Sequence, residues 1–238
     1  MSSSIDHSLS NANWILTSLP EGEYGPLLPH LETIGLPQGK TIYVTEDPID
    51  YVYFPTSGMI SLVSCAVGGE TTQLATVGKE GMVGVSIILG TNTTPYQAEV
   101  HLQGDCMKMR ADVLRHAFDR GGLLQASLLR YTHLLMSQIV QSAVCNRFHS
   151  VVQRLCRWLL VTRDHVNLDE LQLTQEYLSY MMGSSRPPVS VAAEALQKVG
   201  LIRYKRGQIL ILDRGGLEAH SCECYRIVRE QFDTLFNG

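Results

Sequence analysis

Two short helical stripes that meet at a glycine and run on into a strand pair with a basic tip occupy Leu173 to Leu212, and they constrain this chain more than any other feature. Thr174 can cap a helix whose inner face is Leu178, Met181 and Met182, and Gly183 supplies the turn after it. A second helix follows, with Val189, Ala192, Ala193 and Leu196 at helical spacing, and Gly200 ends it. Leu201 to Lys205 and Gln208 to Leu212 then read as a β-hairpin around Arg206-Gly207. Two helices joined by a tight glycine turn form a helix-turn-helix, whose second helix is narrow enough to enter a DNA major groove. The hairpin makes it a winged one. A structural helical hairpin without a DNA role is the alternative that the motif alone leaves open.

Charge supports this placement. The chain of 238 residues has a net charge of −4, an unpromising sum for a polyanion's partner. Its distribution is uneven: residues 1–146 carry 7 Lys+Arg against 13 Asp+Glu, and residues 147–238 carry 12 against 10. The C-terminal part is therefore the one suited to phosphate, through local clusters such as Arg203, Lys205 and Arg206. A 45% hydrophobic composition is enough for well-buried cores, and the length suits two ordinary domains. No apolar run approaches a membrane span, and the first residues lack the basic start and apolar core of a signal peptide, so a cytoplasmic protein without a membrane partner is expected. The six cysteines then read as reduced, mostly structural thiols.

Upstream, a short amphipathic start (Trp14, Ile15, Leu16, Leu19) and Pro20 and Pro26 suggest small helices, with another around Leu27 to Leu31. From Lys40 to Met109 the texture becomes β-rich: Thr41 to Val44, Tyr51 to Phe54, Met59 to Ala66, Thr71 to Val77, Gln97 to Leu102 and Cys106 to Met109. Gly68-Gly69 reads as a hairpin turn, and the regular spacing suggests a sandwich, barrel or jelly roll. Leu123 to Cys145 then holds neither proline nor glycine, and Leu124, Leu128, Tyr131, Leu135, Gln138, Ser142 and Cys145 fall at alternating spacings of four and three. The stripe fits a helix pairing with its twin in a homodimer, and equally a helix lying on its own β-domain. Asn146 reads as the N-cap of a further helix carrying Val151, Val152, Leu155, Trp158 and Leu159. The division expected is 1–122 for a β-rich sensor domain, 123–145 for a dimerisation helix and 146–238 for a DNA-binding domain.

The segment LTQEYLSYMMGSSRPPVSVAAEALQKVGLIRYKRG is similar to the DNA-binding region of the Crp/Fnr superfamily, and YVYFPTSGMISLV, the Gly68-Gly69 hairpin and ATVGKEGMVG resemble its cyclic-nucleotide-binding-type β-roll. The resemblance implies an α+β fold: an N-terminal antiparallel, jelly-roll-like β-roll, a long dimer helix and a C-terminal winged helix-turn-helix. It implies a homodimer on a palindromic double-stranded DNA site, with RNA polymerase and an unidentified small-molecule effector as further partners. The outer face of the second helix carries Ser184, Ser185, Arg186 and Ser190 and the wing carries Lys205 and Arg206; residue by residue, the resemblance places Thr174 and Gln175 at the phosphate backbone and Ser185 and Arg186 at the start of the recognition helix. Arg suits base reading because its fork donates to guanine O6 and N7 together.

The departures from the family pattern also inform. Pro187 and Pro188 replace an acidic residue and a Thr, and Val191 replaces a second base-reading Arg, so the operator should differ from that of cyclic-AMP-responsive members. Because proline biases its predecessor away from helical angles, Arg186 is expected just before the helix proper. In the sensor, the glycine-glutamate and arginine-serine pairs of nucleotide-binding members correspond here to Gly84-Val85-Ser86 and Pro95-Tyr96-Gln97. A phosphate buried without a cation is strongly disfavoured, so cyclic AMP is not the expected effector. Val85, Ser86, Tyr96 and Gln97 would line a hollow for a less charged ligand. No cysteine precedes Cys65, which argues against N-terminal iron-sulfur sensing. His220, Cys222 and Cys224 could bind zinc or sense oxidation, but residues two apart on a helix point in different directions, and Cys224 aligns with Leu217, Val228 and Leu235 as core packing. The expectation is no metal and no cofactor. An enzyme is not expected, since no Cys-x-x-Cys, P-loop or nucleophile elbow occurs. A ligand- or partner-binding protein of this fold that has lost DNA reading is the competing class.

Overall fold

The computed structural model describes residues 13–237, and of Leu235 to Asn237 only the backbone, so the packing expected of Leu235 lies outside the described side chains. The chain divides into two compact units, the first holding residues up to Leu62 and Thr76–His133, the second Val63–Ala75 and Leu134–Gly238.

The first unit opens with helices α1 (Trp14–Thr17) and α2 (Glu21–Tyr24) and a 3-10 turn at Leu28–His30. Asn13 fixes this entry: its Oδ1 accepts from Ile15 and Leu16 N, while Nδ2 donates to the carbonyls of Pro55 at 3.0 Å and Gly81 at 2.8 Å. Strands β1 (Glu32–Leu36), β2 (Thr41–Tyr43), β3 (Tyr51–Pro55), β4 (Met59–Cys65), β5 (Thr71–Val77), β6 (Gln97–Leu102) and β7 (Gly104–Arg110) form two sheets, in the orders β1-β7-β3 and β2-β6-β4-β5. In β3 the period-two alternation buries Val52 and Phe54, with Tyr51 and Tyr53 half-buried on the other face. The strand β1 had no sequence signal, because as an edge strand it buries only Leu36. Helix α3 (Ala111–Asp119) closes the roll.

Helix α4 (Leu123–Phe148) contributes to both units. The stripe Leu124, Leu128, Tyr131, Leu135, Gln138, Ser142 and Cys145 is buried within the chain itself, so its alternating spacing serves intramolecular packing. The helix also runs through Asn146, which caps nothing. The next helix, α5 (Val151–Val166), is capped by Ser150, whose Oγ accepts from Gln153 N at 3.3 Å while Gln153 Oε1 accepts from Ser150 N at 3.0 Å. This reciprocal box satisfies two orphan donors and outcompetes a lone Asn.

The second unit continues with β8 (Glu170–Gln172), α6 (Gln175–Met182), α7 (Arg186–Lys198), β9 (Ile202–Lys205), β10 (Gln208–Ile211), α8 (Arg214–His220) and α9 (Glu223–Asn237). Its sheet has the order β8-β10-β9, and its core joins Leu155 and Leu159 of α5 to Leu178, Val189, Leu196, Ile209 and Leu217. Among the described residues no helix is long and apolar enough to cross a membrane.

Candidate nucleic-acid interface

The turn between α6 and α7 is fixed at both ends. Thr174 takes an extended conformation and its Oγ1 accepts from Tyr177 N at 3.1 Å, starting α6. Gly183 ends α6 at φ 55°, a left-handed conformation that side chains oppose, and a Cβ there would meet Thr72 Oγ1 at 2.9 Å. Arg154 of α5 donates to the carbonyl of Met182, satisfying a helix-end acceptor. The β4–β5 tip adds Thr71 Oγ1, which donates to the Tyr180 carbonyl at 3.1 Å.

Helix α7 begins at Arg186, with Ser185 extended at the N-cap, whereas the sequence placed Arg186 ahead of the helix. Proline in a first turn removes no intrahelical hydrogen bond, so Pro187 and Pro188 allow the early start. Burial of Val189, Ala192, Ala193 and Leu196 then outweighs the pre-proline bias. The buried alanines let the helix lie close to its neighbours, leaving Ser185, Arg186, Pro187, Pro188, Val191 and Lys198 exposed.

Of the residues expected to meet DNA, Thr174, Ser185, Arg186, Lys205 and Arg206 are exposed, while Gln175, Ser184 and Ser190 are half-buried. Ser190 Oγ donates to Gln175 Oε1 at 2.8 Å, which ties the start of α6 to the second turn of α7. The β9–β10 turn places Arg206 and Gly207 at φ 51° and 80°, the pair of positive values a tight two-residue hairpin demands. Arg203, Lys205 and Arg206 therefore stand on one short exposed wing in the same unit as α7.

In the sensor unit, Val85 and Ser86 are buried in a 3-10 turn after Gly84, while Tyr96 and Gln97 are half-buried at the start of β6. The Tyr96 ring lies 6.5 Å from that of Tyr43, which is itself buried. Burial, and then the neighbouring Tyr96 and Tyr131, push the Tyr43 hydroxyl well above the ordinary phenol range. Tyr43 thus has two further phenols, Tyr96 and Tyr131, as neighbours, and the buried Glu80 acts on the second of them.

Of the C-terminal cysteines, Cys224 is buried on α9, as its alignment with Leu217 and Val228 predicts, whereas Cys222 is not on a helix with it. Cys222 lies outside both helices, between the end of α8 and the start of α9, so the helical argument that Cys222 and Cys224 diverge does not hold. Both are buried against Cys145 of α4, and His149 Nδ1 lies 3.4 Å from Cys224 Sγ. His220 is not part of this group; its Nδ1 lies 2.8 Å from the Gly216 carbonyl oxygen. Nothing local in the sequence links positions 145 and 149 to 222 and 224.

Residues 153–220 match the Crp-like helix-turn-helix domain and residues 34–120 match the cyclic nucleotide-binding domain. The chain is 23% identical over 216 residues to the CRP-like cAMP-activated global transcriptional regulator of Mycobacterium tuberculosis, covering 88% of this chain and 96% of that protein. It is likewise 23% identical over 215 residues to the global nitrogen regulator of Synechococcus elongatus, covering 86% and 96%. Among solved structures, a Crp/Fnr-family protein from Eubacterium rectale shares the fold with a TM-score of 0.71 at 18% identity, over 87% of this chain and 96% of that one.

Proposed function

The chain belongs to the Crp/Fnr superfamily of transcription regulators, and from that premise we propose that it is a sequence-specific regulator that binds a palindromic operator as a homodimer without control by cyclic AMP. The observation that carries DNA reading is the exposed start of α7, where Arg186 stands beside a first turn of small and apolar residues, with the Lys205-Arg206 wing in the same unit. An Arg at that point can read guanine bidentately, while Val191, Pro187 and Pro188 offer apolar contact to thymine methyls. Thr174, Gln175, Ser184, Ser185, Ser190 and the wing then serve the phosphate backbone, fixing register.

Dimerisation rests on the outer face of α4. Ala126, Leu129, His133, Met136, Val140 and Ala143 follow alternating spacings of three and four and are exposed, Met136 and Val140 by 61% and 62%. That is a second seam, distinct from the buried stripe, and it suits a two-stranded coiled coil. A two-fold axis along it would present two recognition helices to half-sites about one helical turn, roughly 34 to 36 Å, apart.

Against control by cyclic AMP stand the buried aliphatic Val85 and the neutral Tyr96 and Gln97, which bring neither a carboxylate to a ribose nor a cation to a phosphate. An effector for this corner would be neutral or apolar. RNA polymerase is the further partner of the proposal.

Selecting bound fragments from random DNA with the purified full-length chain tests the reading. An inverted repeat carrying a guanine in each half-site is expected. Equal retention of all sequences would instead favour a protein of this fold that has lost sequence reading.

A further inference from the structure

Away from the elements proposed to face DNA, the second unit gathers Cys145 on α4 and His149, which follows the last residue of that helix and whose N–H donates to the Cys145 carbonyl at 3.2 Å, with Cys222 and Cys224 at the α8–α9 junction. One donor atom from each converges, and all four lie within 4.8 Å of one another. We propose that these residues form a closed tetrahedral site for a single zinc ion, with three cysteine sulfurs and His149 Nδ1 as ligands.

The spacing suits one ion. Zinc–sulfur bonds of about 2.3 Å at tetrahedral angles set ligand sulfurs roughly 3.8 Å apart. Cys145 and Cys222 Sγ are separated by 3.5 Å and Cys224 Sγ and His149 Nδ1 by 3.4 Å. A disulfide would need about 2.05 Å between sulfurs. An iron-sulfur cluster distributes its cysteines over several metal atoms and would hold them further apart than this group allows.

The surroundings are those of a metal's outer shell. Glu223 Oε1 lies 3.2 Å from His149 Nε2, the ring nitrogen that a ligating Nδ1 leaves free. A carboxylate in that position fixes the tautomer and turns Nδ1 towards the metal. Gln141 Nε2 donates to Cys224 Sγ at 3.0 Å, a hydrogen bond that favours a thiolate. Three thiolates, a neutral imidazole and a divalent ion sum to one negative charge, and Arg154 and Arg157 of α5 interact electrostatically with Cys145. Packing alone accounts for three buried thiols, which behave as small hydrophobes. It gives no reason for an imidazole held by a carboxylate with its other nitrogen against sulfur.

Four protein ligands leave no open position, so the ion's role is structural. Cys145 and Cys222 are 77 residues apart, and the bridge would close a loop that contains the entire winged helix-turn-helix. Closing a long loop removes more freedom from the unfolded chain than closing a short one.

The test uses the full-length chain, purified under reducing conditions and analysed for metal by mass spectrometry. About one zinc per chain is expected, falling to less than about a tenth in a Cys222→Ser/Cys224→Ser double variant and unchanged in Cys65→Ser, which alters an exposed cysteine outside the group. Exchange of zinc for cobalt in the unsubstituted chain should give the visible bands of tetrahedral cobalt with thiolate charge transfer in the near-ultraviolet. His149→Cys should keep the metal and strengthen that charge transfer, a readout that survives if the double variant fails to fold. Protein without zinc or cobalt bands after growth in zinc-supplemented medium, a Cys145–Cys222 disulfide, or iron with acid-labile sulfide would each overturn the proposal.

Discussion

A Cβ placed on Gly81 would lie 2.5 Å from Cε2 of Tyr131, so the ring of an α4 tyrosine rests directly on the backbone of the loop after β5. The same phenol donates to the Met82 carbonyl at 3.0 Å and is fully buried. Both groups are rigid, so neither can yield to a methyl without moving the other. Gly81→Ala should therefore cost about 1 to 3 kcal/mol by overpacking, and Tyr131→Phe about 1 to 3 kcal/mol by leaving a buried carbonyl unpaired. Urea unfolding midpoints measure both, and a neutral Gly81→Ala would show that the loop and helix part easily.

The N-terminus of α4 is capped from a distance. Glu23 on α2 accepts from Leu123 N at 2.9 Å and Leu124 N at 2.8 Å, and these two bonds hold its carboxyl below the ordinary 4.5. A depressed carboxylate contributes stability above its unfolded value and loses it as pH falls through the folded one. The thermal midpoint should accordingly drop on acidification below about pH 4.5, and Glu23→Gln should lower it at neutral pH while flattening that acid limb. An acid limb identical in Glu23→Gln and the parent would remove Glu23 from the account.

The proposed interface on the outer face of α4 is tested by a change that separates association from folding. Met136→Glu with Val140→Glu places like charges on a two-fold seam while touching no buried side chain. Light scattering should then report a monomer, with unfolding of each chain little changed and operator affinity abolished. A double variant that stays dimeric would send the interface elsewhere. The corresponding changes on the other stripe, at Leu128 or Leu135, should unfold the protein instead, since those side chains are core.

Much of this architecture was legible because burial imposes a period. Six strand runs, the glycine turn at Gly183 and the basic hairpin all carried local signals, and each lies where alternation or helical spacing placed it. Signals failed where the constraint is not local. Strands β1 and β8 each bury a single residue, Leu36 and Leu171, too few to establish a repeating alternation. The stripe on α4 revealed that one face is apolar without revealing what covers it, and the exposed seam beside it is diluted by His133 and two alanines. The Ser150-x-x-Gln153 box was present in the sequence but lay behind a plausible Asn cap. The gathering of Cys145 and His149 with Cys222 and Cys224 is a product of tertiary folding alone.

Cyclic nucleotide should leave the protein unmoved. Calorimetry with millimolar cyclic AMP or cyclic GMP should give no saturable heat, and operator affinity should be the same with and without them. Coupling is the decisive quantity, since a ligand switches the protein only by favouring the DNA-competent arrangement. A tenfold tightening on the operator would falsify the reading of Val85, Tyr96 and Gln97 as a site without a phosphate clamp.

Base reading and phosphate binding separate by how their removal depends on sequence and salt. Arg186 starts α7 and is exposed, and a bidentate hydrogen bond to one guanine is worth about 1 to 3 kcal/mol of discrimination. Arg186→Ala should therefore weaken binding to the selected operator by that much, weaken binding to unrelated DNA far less, and relax preference at one base pair in each half-site. Arg186→Lys should recover part of the affinity through charge but little of the preference, because an ammonium lacks the planar fork. On the wing, Lys205→Ala with Arg206→Ala removes two exposed cations per chain. Affinity should then fall alike on every sequence, and the slope of log affinity against log salt should shrink by roughly 0.9 for each phosphate no longer neutralised. Should Arg186→Ala behave like the wing variant, with a uniform weakening and a shallower salt slope, Arg186 holds phosphate, and sequence must then be read by the groups beyond it on α7, of which Val191 is the most exposed apolar one.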